Sequence, residues 1–132
     1  MRPRKVLLLV CADEIRSSVL GLVLDTHGYR VVPAASMAAA MELVKAASVA
    51  EFAGAWLCDT CPDVDRAGVL WLKRTAPEMK LLATLSSPRD WSVYADVCAD
   101  SSASMVLVLE RLRILLSLKR GPKKRVAEPQ AA

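Results

Sequence analysis

Short apolar runs alternate with segments of helical periodicity along this chain, and that alternation constrains its fold more than any other feature. The first run, Lys5–Val10 (KVLLLV), is continuously apolar after its lysine, as is typical of a strand buried on both faces. Further strands are predicted at residues 29–32, 52–58, 80–85 and 96–99. Strands alternating with helices at this spacing indicate a parallel sheet covered on both faces.

The connecting segments contain helix signals. Asp13 and Ser36 are placed as helix N-caps, and Gly28 follows the first helix where a left-handed residue is needed. The side chains of the first helix that recur at helical spacing, and that we expect to face the core, are Ile15, Val19, Leu22, Val23 and Thr26. The segment before the fifth strand has room for barely two helical turns, which predicts a shortened fourth helix with Trp91 partly exposed. A long last helix is predicted from about residue 103 to 118.

The length of 132 residues is enough for one domain with a single core, predicted as residues 1–118. No apolar run approaches the roughly 18 residues of a membrane span. The start, MRPRKVLLLVC, is similar to a lipoprotein signal, but its apolar run is short and Asp13 and Glu14 follow at once. We therefore expect a cytoplasmic protein, and in that reducing compartment its four cysteines are expected as free thiols or metal ligands.

The formal net charge of +4 is unevenly distributed. Residues 2–5 hold three basic side chains and residues 119–125 hold five, which leaves ten basic against thirteen acidic residues once Glu128 is set aside. The folded body is therefore acidic, and residues 119–132 are predicted to be a basic, disordered tail. Such a tail can keep a small protein soluble, or it can bind nucleic acid by neutralising phosphates, which is the weaker alternative function.

In their order along the chain, these segments resemble a response-regulator receiver domain, the (βα)5 module of two-component signalling. The most similar stretches are KVLLLV, then a turn, one helix and HGYRVVPAAS at residues 27–36, and ADVCADSSASMVLVLERLRILLSL at residues 95–118. The middle of the chain is similar only with gaps. The resemblance implies an α/β fold of flavodoxin-like receiver type, a doubly wound parallel five-stranded sheet with a shortened fourth helix.

The resemblance also implies a site. In receivers, acidic residues after the first strand and a phosphoacceptor aspartate hold Mg²⁺, which offsets charge as phosphoryl passes from a kinase histidine. Here Cys11 and Ala12 occupy the two positions straight after the strand, and Asp13 is the next acidic residue. The candidate phosphoacceptor is Asp59, after the third strand. Asp13 and Asp59 are accordingly the candidate ligands of a magnesium site that has lost carboxylates.

Other positions of the receiver pattern are also altered. The spacing from Pro62 selects Cys58 as an alternative at the acceptor position. The switch hydroxyl after the fourth strand falls on Ser86, with Thr84 as the second candidate. The lysine that receivers carry after the fifth strand falls on Ser101, so we expect the phosphoryl group's positive partner to be absent.

These departures agree with one another and predict a pseudo-receiver. The expected function is that of a single-domain, receiver-like protein in phosphorelay signalling that is poorly or not phosphorylated and is not an enzyme. It would act through contacts with a sensor histidine kinase or another signalling protein. Magnesium would be a cofactor only if the receiver site were active. The alternative within the same fold is an active receiver in which Asp59 is a working phosphoacceptor. In the simplest interpretation, Asp59 is a polar residue that caps the turn after its strand.

The cysteines suggest a different function on the same fold. Cys58 and Cys61 form a C-x-x-C motif, which occurs in redox and zinc sites. The receiver fold would place Cys11, Cys58 and Cys98 on neighbouring strands, so a redox or metal sensor in the vacated acidic pocket is one interpretation. In the other, these residues are small buried hydrophobic side chains.

The last helix carries two apolar surfaces. A helical wheel places one broad stripe towards the sheet, with the members Met105, Val108, Leu109, Leu112, Leu115 and Leu116. Leu107, Ile114 and Leu118 lie on a separate arc where a surface helix is normally polar, and such strips mark contacts. Receivers commonly dimerise through this surface, so we predict a homodimer centred on these three residues. The alternative occupants of the strip are the tail and the shortened fourth segment.

Overall fold

The five predicted strands lie side by side in one parallel sheet. The computed structural model describes residues 4–47 and 51–117, so Leu118 and the predicted tail lie outside the described residues. The elements are β1 (Lys5–Val10), α1 (Glu14–Thr26), β2 (Tyr29–Ala34), α2 (Met37–Ala46), β3 (Gly54–Cys58), α3 (Arg66–Thr75), β4 (Lys80–Leu85), a 3-10 turn (Ser92–Tyr94), β5 (Val97–Asp100) and α4 (Met105–Ser117). No helix in these two ranges combines the length and the apolar character that crossing a membrane requires.

The strand order in the sheet is β2-β1-β3-β4-β5, and all four neighbouring pairs are parallel. The chain moves outward from β1 to β2 and then crosses back over β1 to β3. The order of the strands therefore reverses between β1 and β3. Open α/β sheets bind their ligands at such a switch point, beyond the carboxyl ends of the strands.

Successive residues of the central strands face two separate helical layers. In β1, Leu8 and Val10 belong to the core shared with α2 and α3, whereas Leu7 and Leu9 belong to the core shared with α1 and α4. Every residue of β3 is buried. Because both faces of the sheet are covered, the central strands have the continuous apolar runs that predicted them.

Side-chain caps begin α1 and α2 as the sequence predicts, and a further cap that was not predicted begins α3. Asp13, Ser36 and Asp65 each accept a hydrogen bond from a backbone N–H in the first turn of α1, α2 and α3. Asp63 adds a second cap to α2, since its two carboxylate oxygens accept the first two N–H groups of that helix at 2.8 and 3.1 Å. These bonds lower the pKa of Asp63 and tie the β3–α3 loop to α2. Gly28 has φ +90°, the left-handed conformation expected after α1.

The face of α1 that packs on the sheet differs from the predicted one. Leu20 and Leu24 are buried, whereas Ile15, Val19 and Leu22 are exposed by 79%, 54% and 66%. Apolar residues occur around most of this helix, so their spacing alone does not select a face. Leu20 and Leu24, one turn apart, join the core shared with α4.

The connection between β4 and β5 contains one 3-10 turn in place of an α-helix, which confirms the predicted shortening. The expectation that Trp91 is partly exposed was wrong, because its side chain is buried in the core next to α2 and α3. Tyr94 packs against the same core, and the Arg66 guanidinium lies 5.9 Å from the centre of its ring. Large aromatic side chains thus fill space where a helix is missing.

The last helix packs as predicted. Its buried side chains are Val108, Leu112, Leu115 and Leu116. Leu107 and Ile114 are exposed by 43% and 47%, on the side away from the sheet. Lys5 Nζ donates a hydrogen bond to the carbonyl of Leu116 at 2.7 Å, which fixes the end of α4 beside the start of β1.

Candidate functional site

The candidate site is built from residues that follow the central strands. Cys11 comes after β1, Asp59 after β3 and Ser86 after β4. Since the strands are parallel, these residues share the carboxyl edge of the sheet at the switch point.

Asp59 is the most highly constrained residue of this edge. Its side chain is only 3% exposed. One carboxylate oxygen, Oδ2, accepts the backbone N–H of Ser86 at 2.7 Å and the hydroxyl of Ser86 at 2.9 Å. Nη2 of Arg89 lies 3.5 Å from the same oxygen and donates to the Asp59 carbonyl at 3.4 Å. The buried carboxylate is therefore compensated by two hydrogen bonds and a cation from the chain itself.

A positive charge lies beside Asp59 even though Ser101 occupies the position of the expected lysine. Ser101, at the lysine position, donates its backbone N–H to the carbonyl of Leu85 at 2.8 Å and supplies no charge. The cation comes instead from Arg89, in the short connection after β4. The resemblance to receivers does not point to Arg89, because the lysine position that it implies follows the fifth strand. The only sequence signal is a basic residue three places after the switch hydroxyl.

The two candidate switch hydroxyls have different partners. Thr84 is buried in β4, where its Oγ1 accepts the indole N–H of Trp56 at 3.0 Å. Ser86 lies just beyond the strand and contacts Asp59. The structure thus places Ser86, the first candidate, in contact with Asp59.

The residues present do not fit a magnesium ion. Asp13 caps α1 by accepting the N–H of Arg16 at 3.1 Å. Oδ2 of Asp59 already accepts two hydrogen bonds from Ser86. Cys11 presents sulfur, whereas Mg²⁺ prefers carboxylate and water oxygens. Among residues 4–47 and 51–117, no group of three or more histidine, cysteine, aspartate or glutamate side chains is placed to hold a metal.

Cys11 and Cys58 lie side by side beneath the site. Their strands pair in register up to Val10 and Leu57, and both thiols are buried in the core next to α1 and α4. Burial raises the pKa of Cys58 to about 12, with further contributions from the neighbouring Cys11. A thiol with so high a pKa is almost wholly protonated at neutral pH and is a poor nucleophile.

The other two cysteines, Cys61 and Cys98, lie away from the Cys11–Cys58 pair. Cys61 belongs to the core on the opposite face, and burial together with the charge of Asp63 raises its pKa to about 11. Cys98 is exposed, because its neighbours in β5, Val97 and Ala99, are the residues that face α1 and α4. Strand alternation therefore separates Cys98 from the Cys11–Cys58 pair, and the C-x-x-C motif has its two thiols on different faces of the sheet.

Comparison with solved structures identifies the fold. A CheY-like receiver domain from Methanospirillum hungatei superposes with a TM-score of 0.77 at 20% identity, covering 86% of this chain and 94% of that one. This chain has the receiver fold. No protein-family model matches its sequence, and no curated protein is significantly similar to it.

Two further receiver structures give the same result. A response regulator from Thermotoga maritima, in complex with magnesium and beryllofluoride, has a TM-score of 0.74 at 16% identity and covers 84% and 98% of the two chains. The receiver domain of a histidine kinase from Syntrophus aciditrophicus has a TM-score of 0.74 at 19% identity and covers 89% and 94%. At these identities the likeness shows the shared receiver fold alone.

The substitution at Cys11 gives a first prediction. Cys11 is buried and Ala12 is exposed, so a carboxylate at position 11 loses hydration without gaining a cation, whereas one at position 12 stays in water. We expect Cys11→Asp to lower the free energy of unfolding by about 1–3 kcal/mol and the control Ala12→Asp to change it by less than about 0.5 kcal/mol. Urea unfolding in metal-free buffer measures both values. Equal stability of Cys11→Asp and the unaltered protein would contradict a closed, apolar pocket.

Proposed function

We propose that this chain is a pseudo-receiver, a single-domain signalling protein that acts by binding other proteins without itself carrying a phosphoryl group. It is neither an enzyme nor a competent phosphorelay step. The observation that supports this proposal most strongly is the buried carboxylate of Asp59, held by Ser86 and Arg89.

The physical argument concerns what phosphoryl transfer needs from a carboxylate. The attacking oxygen must be accessible, and a cation must offset the charge gathered around the transferred group. Here Oδ2 accepts two hydrogen bonds from Ser86, the Arg89 guanidinium lies 3.5 Å from the same oxygen, and the side chain is almost fully buried. Phosphorylation would require the loss of these bonds with no magnesium ligands to compensate for it. The pocket favours the unmodified state.

The proposed partners are a sensor histidine kinase or another signalling protein of the cytoplasm. The receiver fold supports a signalling role in general, because receivers work through their contacts with other proteins. No feature of the pocket selects one partner, so recognition would depend on the exposed helix faces.

Treatment with a small phosphodonor tests the proposal. After incubation with acetyl phosphate and Mg²⁺, we expect the intact mass to stay unchanged, because Asp59 is buried and already bonded. Mass spectrometry detects a gain of about 80 Da, one phosphoryl group, if transfer occurs. The control variant Asp59→Asn should give the same spectrum. A gain in the unaltered protein that is absent from Asp59→Asn would overturn the pseudo-receiver proposal.

We also propose a homodimer through the outer face of α4. Leu107 and Ile114 are the exposed aliphatic side chains at its centre, and Leu118, the third predicted member, lies outside the described residues. Beside Ile114 is a groove of about 350 Å³ that is also lined by Arg111 and Asp96. Opposite charges on the same surface suit a two-fold interface, in which each patch meets its own copy.

Substitution of Ile114 tests this interface. A glutamate at the centre of an apolar contact would be buried without a partner, so Ile114→Glu should give a folded monomer at about 100 µM by light scattering. Val106→Glu is the matched control, since Val106 is exposed on the side of α4 that faces the groove near Tyr29. We expect this control to remain a dimer. A monomeric unaltered protein, or an Ile114→Glu dimer, would refute the proposed interface.

A further inference from the structure

The pair of thiols beneath Asp59 has no part in the proposed function. Cys11 follows β1 directly, and Cys58 is the last residue of β3. The register of these two parallel strands pairs Val10 with Leu57, so Cys11 and Cys58 are the next residues along that register. Both side chains lie in the core shared with α1 and α4. The two thiols are therefore neighbours on the same face of the sheet.

The spacing of the two strands suits a disulfide. Neighbouring strands lie about 4.8 Å apart, and disulfides join residues whose Cα atoms are about 4.4–6.8 Å apart. Beyond the last pair of the register, the two chain ends are bonded to other strands. The N–H of Cys11 donates to the carbonyl of Ala34 in β2 at 3.0 Å, and the N–H of Asp59 donates to the carbonyl of Thr84 in β4 at 3.2 Å. A small adjustment of either end can therefore bring the sulfur atoms together without breaking the β1–β3 ladder.

The other two cysteines cannot compete for this bond within the folded sheet. All four cysteines lie in the described part of the chain. Cys61 is buried on the opposite face, where its thiol donates to the carbonyl of Ala35 at 3.6 Å. Cys98 is exposed on β5, which β4 separates from β3. Cys11 and Cys58 are the one pair that a disulfide can join while each side chain stays in its own layer.

A small reagent has a short path to this pair from the carboxyl edge. Ala12 and Asp13, which follow Cys11, are both exposed. The Cys11 thiol donates a weak hydrogen bond to the carbonyl of Asp13 at 3.5 Å, so it lies directly beneath this turn. Cys58, in contrast, is followed by the buried Asp59. Oxidation is therefore expected to begin at Cys11.

We propose that Cys11 and Cys58 form a modification site, at which a peroxide converts the two thiols into a reversible disulfide. The peroxide oxidises the Cys11 thiol to a sulfenic acid and is itself reduced, which releases one water from hydrogen peroxide. The sulfur of Cys58 then attacks the sulfenic sulfur, the S–O bond breaks, and the hydroxyl leaves as water with the proton of Cys58. A dithiol reductant returns two electrons and two protons and restores both thiols.

The burial of the pair determines how this site would behave. Because burial raises the pKa of Cys58 to about 12, its attack on the sulfenic acid is slow at neutral pH. The site would respond to prolonged oxidation and not to a brief exposure. The product ties the end of β1 to the end of β3 directly beneath Asp59, and this closed loop restricts the unfolded chain. The proposal does not depend on whether Asp59 is phosphorylated.

Peptide mapping by mass spectrometry, after treatment of the full chain with hydrogen peroxide for several hours, tests the proposal. The pair variant is Cys61→Ala with Cys98→Ala, which leaves only Cys11 and Cys58. Its matched control carries Cys11→Ala in addition. We expect the pair variant to lose about 2 Da, the mass of two hydrogen atoms, and to give a cross-linked Cys11–Cys58 peptide that dithiothreitol separates. The control should give no such peptide.

Thermal melting supplies a second readout. The oxidised pair variant should melt about 5 °C or more above its reduced form, whereas peroxide should not raise the melting temperature of the control. The unaltered protein is treated in parallel and should give the same cross-linked peptide, so the test does not depend on the folding of either variant.

Three results would overturn the proposal. If the folded, unaltered protein keeps Cys11 and Cys58 reduced while the urea-unfolded chain becomes cross-linked, the pair is closed to oxidants in the fold. If the cross-linked peptide joins Cys58 to Cys61, the turn between them and not the strand register selects the partners. If the only disulfide joins Cys98 of two copies, exposure alone directs the oxidation.

Discussion

The site depends on how the chain compensates the buried charge of Asp59. A carboxyl group with 3% exposure has lost nearly all of its water, so donors or a cation must replace that water. In this protein the backbone N–H and hydroxyl of Ser86 and the guanidinium of Arg89 do so. These contacts hold the connection after β4 against the end of β3, where the Asp59 side chain is buried.

The other changes at the carboxyl edge are consistent with this closed arrangement. Arg89 places a cation of the chain itself beside Asp59, and Cys11 joins the apolar core beside Cys58. The two thiols then help to fill the core, and burial raises the pKa of Cys58 to about 12, which makes that thiol a poor nucleophile at neutral pH. The missing fourth helix has a similar compensation, since Trp91 fills part of the core next to α2 and α3.

The strands, the helix caps and the packing of α4 were predictable because each depends on local sequence. A strand buried on both faces must be apolar throughout, and a cap such as Ser36 needs a particular side chain at one position. The buried face of α1 was not predictable, since apolar residues surround that helix and only the sheet selects Leu20. Arg89 and Cys98 also depend on tertiary structure. The first reaches Asp59 from a loop, and the second is turned outward by the register of β5.

We propose that Asp59, which is already held by the chain's own donors, does not take up a phosphoryl group or its mimic. The most direct test is the amide resonance of Ser86, whose N–H lies 2.7 Å from Asp59 Oδ2, in ¹H–¹⁵N NMR spectra with and without Mg²⁺ and beryllofluoride. The account predicts that this resonance and those of its neighbours stay in place at millimolar ligand. A saturable shift of the Ser86 amide that requires both Mg²⁺ and beryllofluoride, and that disappears in Asp59→Asn, would contradict it.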